Sequence, residues 1–273
     1  MQCSLIISVY NDIKFITLIF EALKYQSVKD FEVIIADDGS GVEFTDVIKN
    51  LSATVEFPVK HIWHEDKGRR KDIILNKAVV ASGSDYLIFI DGDCIPHHKF
   101  IEEHLRFALE GVVVCGRRVQ LTEKLSDELT PKKIADGCLG WSIVPELLWG
   151  GIVGELRHTE ECLRVTNGFL RHLWLKERWH DLLGFNFSMY KSDLLKVNGF
   201  DERFLLSATG EYLDLEARLN RIDIYCKVEC HIMTVYHKKH KRKDVDNNTN
   251  TLVFEENNQN NISWTSYGIV KDV

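Results

Sequence analysis

The strongest constraint on this chain is a run of five apolar residues, Tyr86-Leu87-Ile88-Phe89-Ile90, that ends in Asp91-Gly92-Asp93. The run is too short for a free-standing helix, is rich in β-branched and aromatic residues, and stops at a glycine turn. It therefore reads as a strand buried on both faces. Such strands belong to parallel sheets, whose carboxyl edge is where open α/β folds take their ligands. Two carboxylates with a glycine between them can turn toward one point. Unpaired, they would repel and one would hold a proton; a hard divalent cation such as Mg²⁺ or Mn²⁺, bridged to phosphate oxygens, relieves that repulsion. In isolation Asp-Gly-Asp reads equally well as a solvated acidic turn, so its surroundings decide.

Those surroundings alternate. Strand patterns at residues 4–10, 31–36, 59–63, 86–91 and 112–115 are separated by helical spacing at 12–26, 43–51, 69–81 and 98–109, with Phe15, Leu18, Ile19, Ala22 and Leu23 on one face of the first helix. This order predicts an α/β fold with a doubly wound, mostly parallel, Rossmann-like sheet. Beyond residue 118 the alternation fades. Residues 120–178 read as loops and helices of a substrate-facing lid, 184–190 as a strand, 191–197 and 211–221 as helices, and 222–235 as one or two strands. The Asn-rich stretch makes 244–273 a flexible or exposed C-terminal arm.

A chain of 273 residues, 45% of them apolar, can bury the core of one large domain. A net charge of −7 argues against a general nucleic-acid binder. There is no run of eighteen apolar residues and no basic-then-apolar leader, so the expectation is a soluble cytoplasmic protein or one held peripherally on the inner face of a membrane, with the basic run Lys238–Lys243 as the contact. The seven scattered cysteines read as reduced, buried thiols. Cys226, Cys230, His231, His237 and His240 are too loosely spaced for a zinc site, and an alternating strand accounts for the thiols.

Three strand ends of the predicted sheet release polar groups on one edge: Ser8 to Asp12, Asp37-Asp38, and Asp91-Asp93. Together they describe a pocket in which Asp38 accepts a hydrogen bond from a base while Asp91 and Asp93 serve ribose hydroxyls and a metal-bound diphosphate. Arg69 and Arg70, at a helix start near that edge, would offset diphosphate charge. Singly, each has a plainer reading as turn, helix cap or solvated face.

The chain resembles the family 2 glycosyltransferases of the nucleotide-diphospho-sugar (GT-A) fold. The residues that carry the resemblance are Ile7-Ser8-Val9-Tyr10-Asn11, Asp37-Asp38-Gly39-Ser40, Glu65-Asp66-Lys67-Gly68 with Arg70 and Asn76, Asp91-Gly92-Asp93, and Asn198-Gly199-Phe200-Asp201-Glu202-Arg203-Phe204 before Gly210-Glu211. The resemblance implies a nucleotide-sugar-binding part at 1–118 and an acceptor-binding, catalytic part at 119–243. It implies that Ser8, Asp38 and Arg70 hold the uridine of a UDP-sugar, that Asp91 contacts ribose and the metal region, and that Asp93 ligates Mn²⁺ or Mg²⁺ with His237 beside it. An imidazole ligand favours manganese.

By the same resemblance Glu211 is the base of an inverting transfer of a hexose or N-acetylhexosamine to a hydroxyl of a polysaccharide, oligosaccharide or lipid-linked glycan. The family pattern has Glu-Asp here, whereas this chain reads Glu211-Tyr212-Leu213-Asp214, which makes Asp214 the reserve base on the same helical face. Trp141, Trp149, Trp174 and Trp179 are candidates for an acceptor platform. Two rivals are a sugar nucleotidyltransferase, disfavoured because Tyr10-Asn11-Asp12-Ile13 is no glycine-rich triphosphate loop, and a non-catalytic glycan-binding relative.

Overall fold

The computed structural model describes residues 1–140, 142–153, 159–167, 182–206, 210–239 and 248–271. The first half runs β1 (Cys3–Val9), α1 (Ile13–Lys24), β2 (Phe31–Asp37), α2 (Val42–Ser52), β3 (Val59–Trp63), α3 (Lys71–Ala81), β4 (Tyr86–Asp91), β5 (Cys94–Pro96), α4 (Phe100–Arg106) and β6 (Val112–Cys115). The second half gives β7 (Arg118–Gln120), α5 (Glu123–Glu128), α6 (Pro131–Ala135), α7 (Val144–Ile152), β8 (Asn186–Tyr190), α8 (Lys191–Lys196), α9 (Glu211–Asn220), β9 (Tyr225–Val228), β10 (Val235–His237) and α10 (Asn248–Gln259).

A seven-stranded sheet has the order β3-β2-β1-β4-β8-β6-β9. The strands β3, β2, β1 and β4 are mutually parallel, as are β6 and β9, whereas β8 is antiparallel to both its neighbours. The expected α/β, mostly parallel sheet is therefore what forms; the reversed β8 was not foreseen, because side-chain alternation carries no information about strand direction. Alternation does set the two cores. Leu5, Ile7 and Val9 face Phe15, Ile19 and Leu23 of α1, while Ile6 and Ile34 face Ile74, Ala78 and Val79 of α3. Each such aliphatic side chain, fully removed from water, stabilises the fold by about 1.5–3 kcal/mol relative to exposure. A second sheet of three short strands, β5-β10-β7, follows the Asp-Gly-Asp turn and brings His237 opposite Cys94.

The C-terminal segment departs from expectation. Residues 240–247 and 272–273 lie outside the described residues; much of 248–271 is exposed, as expected, but the segment is anchored on the domain by a few buried polar contacts rather than free. Asn257 Nδ2 donates to Asp214 Oδ1 at 2.7 Å, Thr265 Oγ1 donates to Asp201 Oδ2 at 2.9 Å, and Asn198 Nδ2 donates to the carbonyls of Thr265 and Val270. A methyl group on Gly268 would stand 1.8 Å from the Asn198 carbonyl oxygen, so only glycine permits this approach. The dock is made by amides and hydroxyls, which is why a reading keyed to apolar residues passed over it. Lys238, the first residue of the basic run, is half-buried and its Nζ lies 2.7 Å from Asp12 Oδ2. The rest of that run from His240 to Lys243 falls outside the described residues, among which no helix is long and apolar enough to cross a membrane.

At the centre of the dock Arg218 is fully buried. Its Nε donates to Asp214 Oδ2 at 2.7 Å and its Nη1 donates to the carbonyls of Val197 and Gly199. Removing one member of a buried pair strands the other charge in a medium that cannot solvate it. Arg218→Ala is therefore expected to lower unfolding stability by about 3–5 kcal/mol in urea titration; a loss below about 1 kcal/mol would mean that the pair is not supporting the fold.

Candidate active site

The parallel register puts the strand ends level. Ser8 lies opposite Asp91, and Val9 opposite Asp37. Ser8 Oγ donates to Asp91 Oδ1 at 2.9 Å, and the Gly92 N–H donates to the Ser8 carbonyl at 2.7 Å. A Cβ at Gly92 would meet Val9 Cγ1 at 2.8 Å and the Ser8 oxygen at 2.9 Å, so the residue between the two aspartates has to be glycine. The two carboxylates following β2 divide their work. Asp37 is wholly buried, accepting from the Ser40 N–H at 2.8 Å and pairing with His61 Nε2, which shapes the turn. Asp38 faces the edge, bonded to His64 Nε2 at 2.7 Å.

Three consecutive basic residues then meet three acids. Arg69 Nη2 donates to Glu211 Oε2; the Arg70 backbone N–H donates to both oxygens of Asp38, at 3.1 and 2.9 Å; and Lys71 Nζ lies 2.6 Å from Asp91 Oδ1. Burial, the largest single influence, would lower the Lys71 ammonium, but the negative surroundings, Asp91 first and Glu211 with it, together outweigh it and hold the group well above its ordinary value. Lys71 also lies over the Tyr212 ring, 5.2 Å from its centroid. Beneath them Asp72 is buried, and neither of its oxygens has a hydrogen-bond partner among the described residues. Burial first, then the Glu211 charge, push this carboxyl well above the usual carboxylate range, against the pull of Arg69 and Lys71. Arg69 Nη1, Arg70 Nε and His64 Nδ1 are likewise buried and unpartnered among the described residues.

On the other side of the Asp-Gly-Asp turn, Asp93, Cys94 and His237 bring one donor atom each within 4.8 Å of one another. His237 Nε2 is 3.4 Å from Asp93 Oδ2, and the Cys94 thiol is 3.5 Å from Asp93 Oδ1. A carboxylate, an imidazole and a sulfur in this proximity form a donor set that fits a divalent cation. Burial, with Asp93 and Asp91 adding to it, pushes the Cys94 thiol well above its ordinary value.

Of the residues singled out in the sequence, Ser8, Asp38, Arg70, Asp91, Asp93, Glu211 and His237 thus lie on one continuous edge. Asp91 and Asp93 face different partners rather than one point. Arg70 meets Asp38 through its backbone, while its guanidinium bonds to the Glu65 carbonyl. Asp214 does not join them. Both its oxygens are engaged, by Arg218 and Asn257, and it is 1% exposed. Trp149 is exposed on α7, and Trp141, Trp174 and Trp179 lie outside the described residues. The sequence reading missed His64, Lys71, Asp72 and Cys94. His64 was legible as the residue after β3, whose end joins the same edge, and Cys94 as the neighbour of Asp93. Nothing in the sequence marked Asp72.

A family model described as glycosyl transferase family 2 matches residues 4–192. The putative glycosyltransferase EpsH of Bacillus subtilis (strain 168) is 30% identical over 115 residues, 41% of this chain and 33% of that protein. The chondroitin synthase of Escherichia coli is 24% identical over 118 residues, 42% of this chain and 17% of that protein. The chain thus spans a third or less of these relatives by the matched region. Among solved structures, the mannosyltransferase PcManGT from Pyrobaculum calidifontis in complex with GDP-Man and Mn²⁺ superposes with a TM-score of 0.56 at 13% identity, covering 88% of this chain and 58% of that one. S. aureus TarS 1–349 in complex with UDP-GlcNAc gives 0.51 at 16% identity, covering 89% and 60%. At these identities the likeness establishes the fold, that of the GT-A glycosyltransferases.

The Asp72 environment has a measurable consequence. A carboxyl raised in the folded state contributes stability that is fully present below its unfolded value, about 4, and is lost as pH rises toward the folded one. Asp72→Asn, which cannot ionise, is expected to gain in melting temperature relative to wild type as pH increases from about 4 to 8. Parallel melting curves across that range would refute a buried, ionisable Asp72.

Proposed function

The chain belongs to glycosyl transferase family 2, and from that premise we propose that it is a metal-dependent, inverting glycosyltransferase that moves a hexose or N-acetylhexosamine from a UDP-sugar to a hydroxyl of a polysaccharide, oligosaccharide or lipid-linked glycan. The observation that carries this reading is the meeting of Asp38, Asp91 and Glu211, from distant points in the sequence, with the basic triplet 69–71.

In this reading Asp38, oriented by His64 and the Arg70 N–H, accepts from the imide N–H of uracil, and Ser8 and Asp91 take the ribose side. Arg69 Nη1 and Arg70 Nε, buried donors without a partner among the described residues, are suited to diphosphate oxygens. Asp93 and His237 would hold the cation, and the imidazole favours Mn²⁺ over Mg²⁺. When bound, that ion supplies neutralisation of charge on the departing nucleoside diphosphate. Glu211 starts α9 and is 7% exposed. Arg69 engages its Oε2, so Oε1 takes the proton of the acceptor hydroxyl as that oxygen attacks the anomeric carbon from the face opposite the leaving group. A single base and a direct displacement give inversion.

Two variants test the assignment. Asp93→Asn is expected to abolish Mn²⁺-dependent UDP binding in calorimetry, and unchanged affinity would remove the metal role. Glu211→Gln is expected to bind donor within a few-fold of wild type while transfer falls by about 10²–10⁴; equal turnover would place the base elsewhere.

A further inference from the structure

We propose that Cys94 is a third ligand in the cation site, making the site selective for thiophilic divalent ions such as Zn²⁺ and Co²⁺ over Mn²⁺. The inference rests on the reading that Asp93 and His237 hold the donor's cation, and it adds a residue and a selectivity to it.

The geometry comes from two different parts of the fold. β5 and β10 pair antiparallel with Cys94 opposite His237, and directly opposed residues of such a pair direct their side chains to the same face of the sheet. Asp93 immediately precedes Cys94 and turns its carboxylate to both. The thiol lies 3.5 Å from one oxygen and the imidazole 3.4 Å from the other. Donors bound at the usual zinc distances around one tetrahedral ion stand about 3.3–3.5 Å apart. Each of these separations matches one coordination shell, though each is to a different oxygen of Asp93; with the three donor atoms within 4.8 Å of one another, a pivot of the carboxylate would bring them round one ion.

The donor set then speaks to the choice of ion. Three protein ligands with one position left for a phosphate oxygen or water is the pattern of a catalytic zinc site rather than a closed structural one. A sulfur donor adds little for Mn²⁺, which prefers oxygen, and much for Zn²⁺ or Co²⁺, which already bind nitrogen and sulfur more tightly in the general order of divalent affinities. As the metal–sulfur bond forms, the thiol proton passes to solvent.

The test uses the whole chain and metals alone, then metals with UDP. Titration of the wild type with Co²⁺ is expected to produce a near-ultraviolet thiolate-to-cobalt charge-transfer band. In Cys94→Ala and Cys94→Ser the band should vanish, and Zn²⁺ affinity, from competition with a chromophoric chelator, should fall at least about tenfold, with Mn²⁺ affinity by electron paramagnetic resonance little changed. Six other thiols are present, so loss of the band in the near-isosteric Cys94→Ser variant is what assigns it to this site. Co²⁺ bound without the band, or Zn²⁺ affinity unaltered in the variants, would overturn the role of Cys94 while leaving Asp93 and His237 in place. Failure of the wild type to bind any of the three ions, with UDP present, would overturn the cation site itself.

Discussion

The edge of this sheet depends on three adjacent cations at the start of one helix. Glu211 and Asp91 come from α9 and β4 and Asp38 from the turn after β2, and left to themselves they would repel one another across a partly buried cleft. Arg69, the Arg70 N–H and Lys71 each engage one of them. Because the three partners are consecutive in sequence, the position of α3 fixes the mutual placement of all three acids. The N-terminus of a helix also carries partial positive charge, so the site is built where the backbone itself favours anions. Groups held in this way need little rearrangement when charge develops on a substrate, which is the form of electrostatic assistance a transferase requires.

The helix that carries Glu211 is held by a different principle. Its buried side includes Leu215 and Leu219, but also Asp214 and Arg218, and these are tied to Asn257, Val197 and Gly199. Next to them Asp201 accepts from Arg203 and Thr265. Burial alone would raise the Asp201 carboxyl; the Arg203 hydrogen bonds and charge outweigh it and leave the group below its ordinary value. Polar networks of this kind add less net stability than apolar packing of the same volume, yet they tolerate few alternative arrangements. Here their directionality sets where the first residue of α9 stands.

What could be read in advance follows from this contrast. Runs of apolar residues mark β1, β2 and β4, which are buried along nearly their whole length, and helical spacing marks α1; the same reading places the half-buried β3 at Val59–Trp63. The acids at the strand ends were legible because the parallel sheet aligns its carboxyl ends. The direction of β8, the sheet of β5, β10 and β7, and the docked Asn-rich segment were not legible. Each depends on pairing between distant segments that leaves no local signature, and the last is made by side chains whose composition reads as solvated. Asp214 and Asp72 show the same limit at single residues. Both are helix acids, and only packing separates the one bound to Arg218 from the one left without a partner among the described residues.

Charge balance also accounts for the unusual residue after Glu211. Tyr212 lies between Lys71, which covers its ring, and Gly184, where a Cβ would come within 1.8 Å of Tyr212 Cζ. Its ring meets Phe187 and Phe200 edge-on, and burial pushes its hydroxyl up, so the side chain is neutral. Around it stand the cations Arg69 and Lys71 and the acids Glu211, Asp91 and Asp72. Arg69 and Lys71 already answer Glu211 and Asp91 one for one. A second carboxylate at position 212 would add a buried negative charge beside Glu211 and Asp91, and the cost of such a charge is severe in a dry site. An aromatic ring instead fills the volume, gives Lys71 a surface to lie on, and leaves Glu211 as the ionisable group at the start of the helix. The departure from Glu-Asp thus follows from the same charge balance that places Arg69 and Lys71.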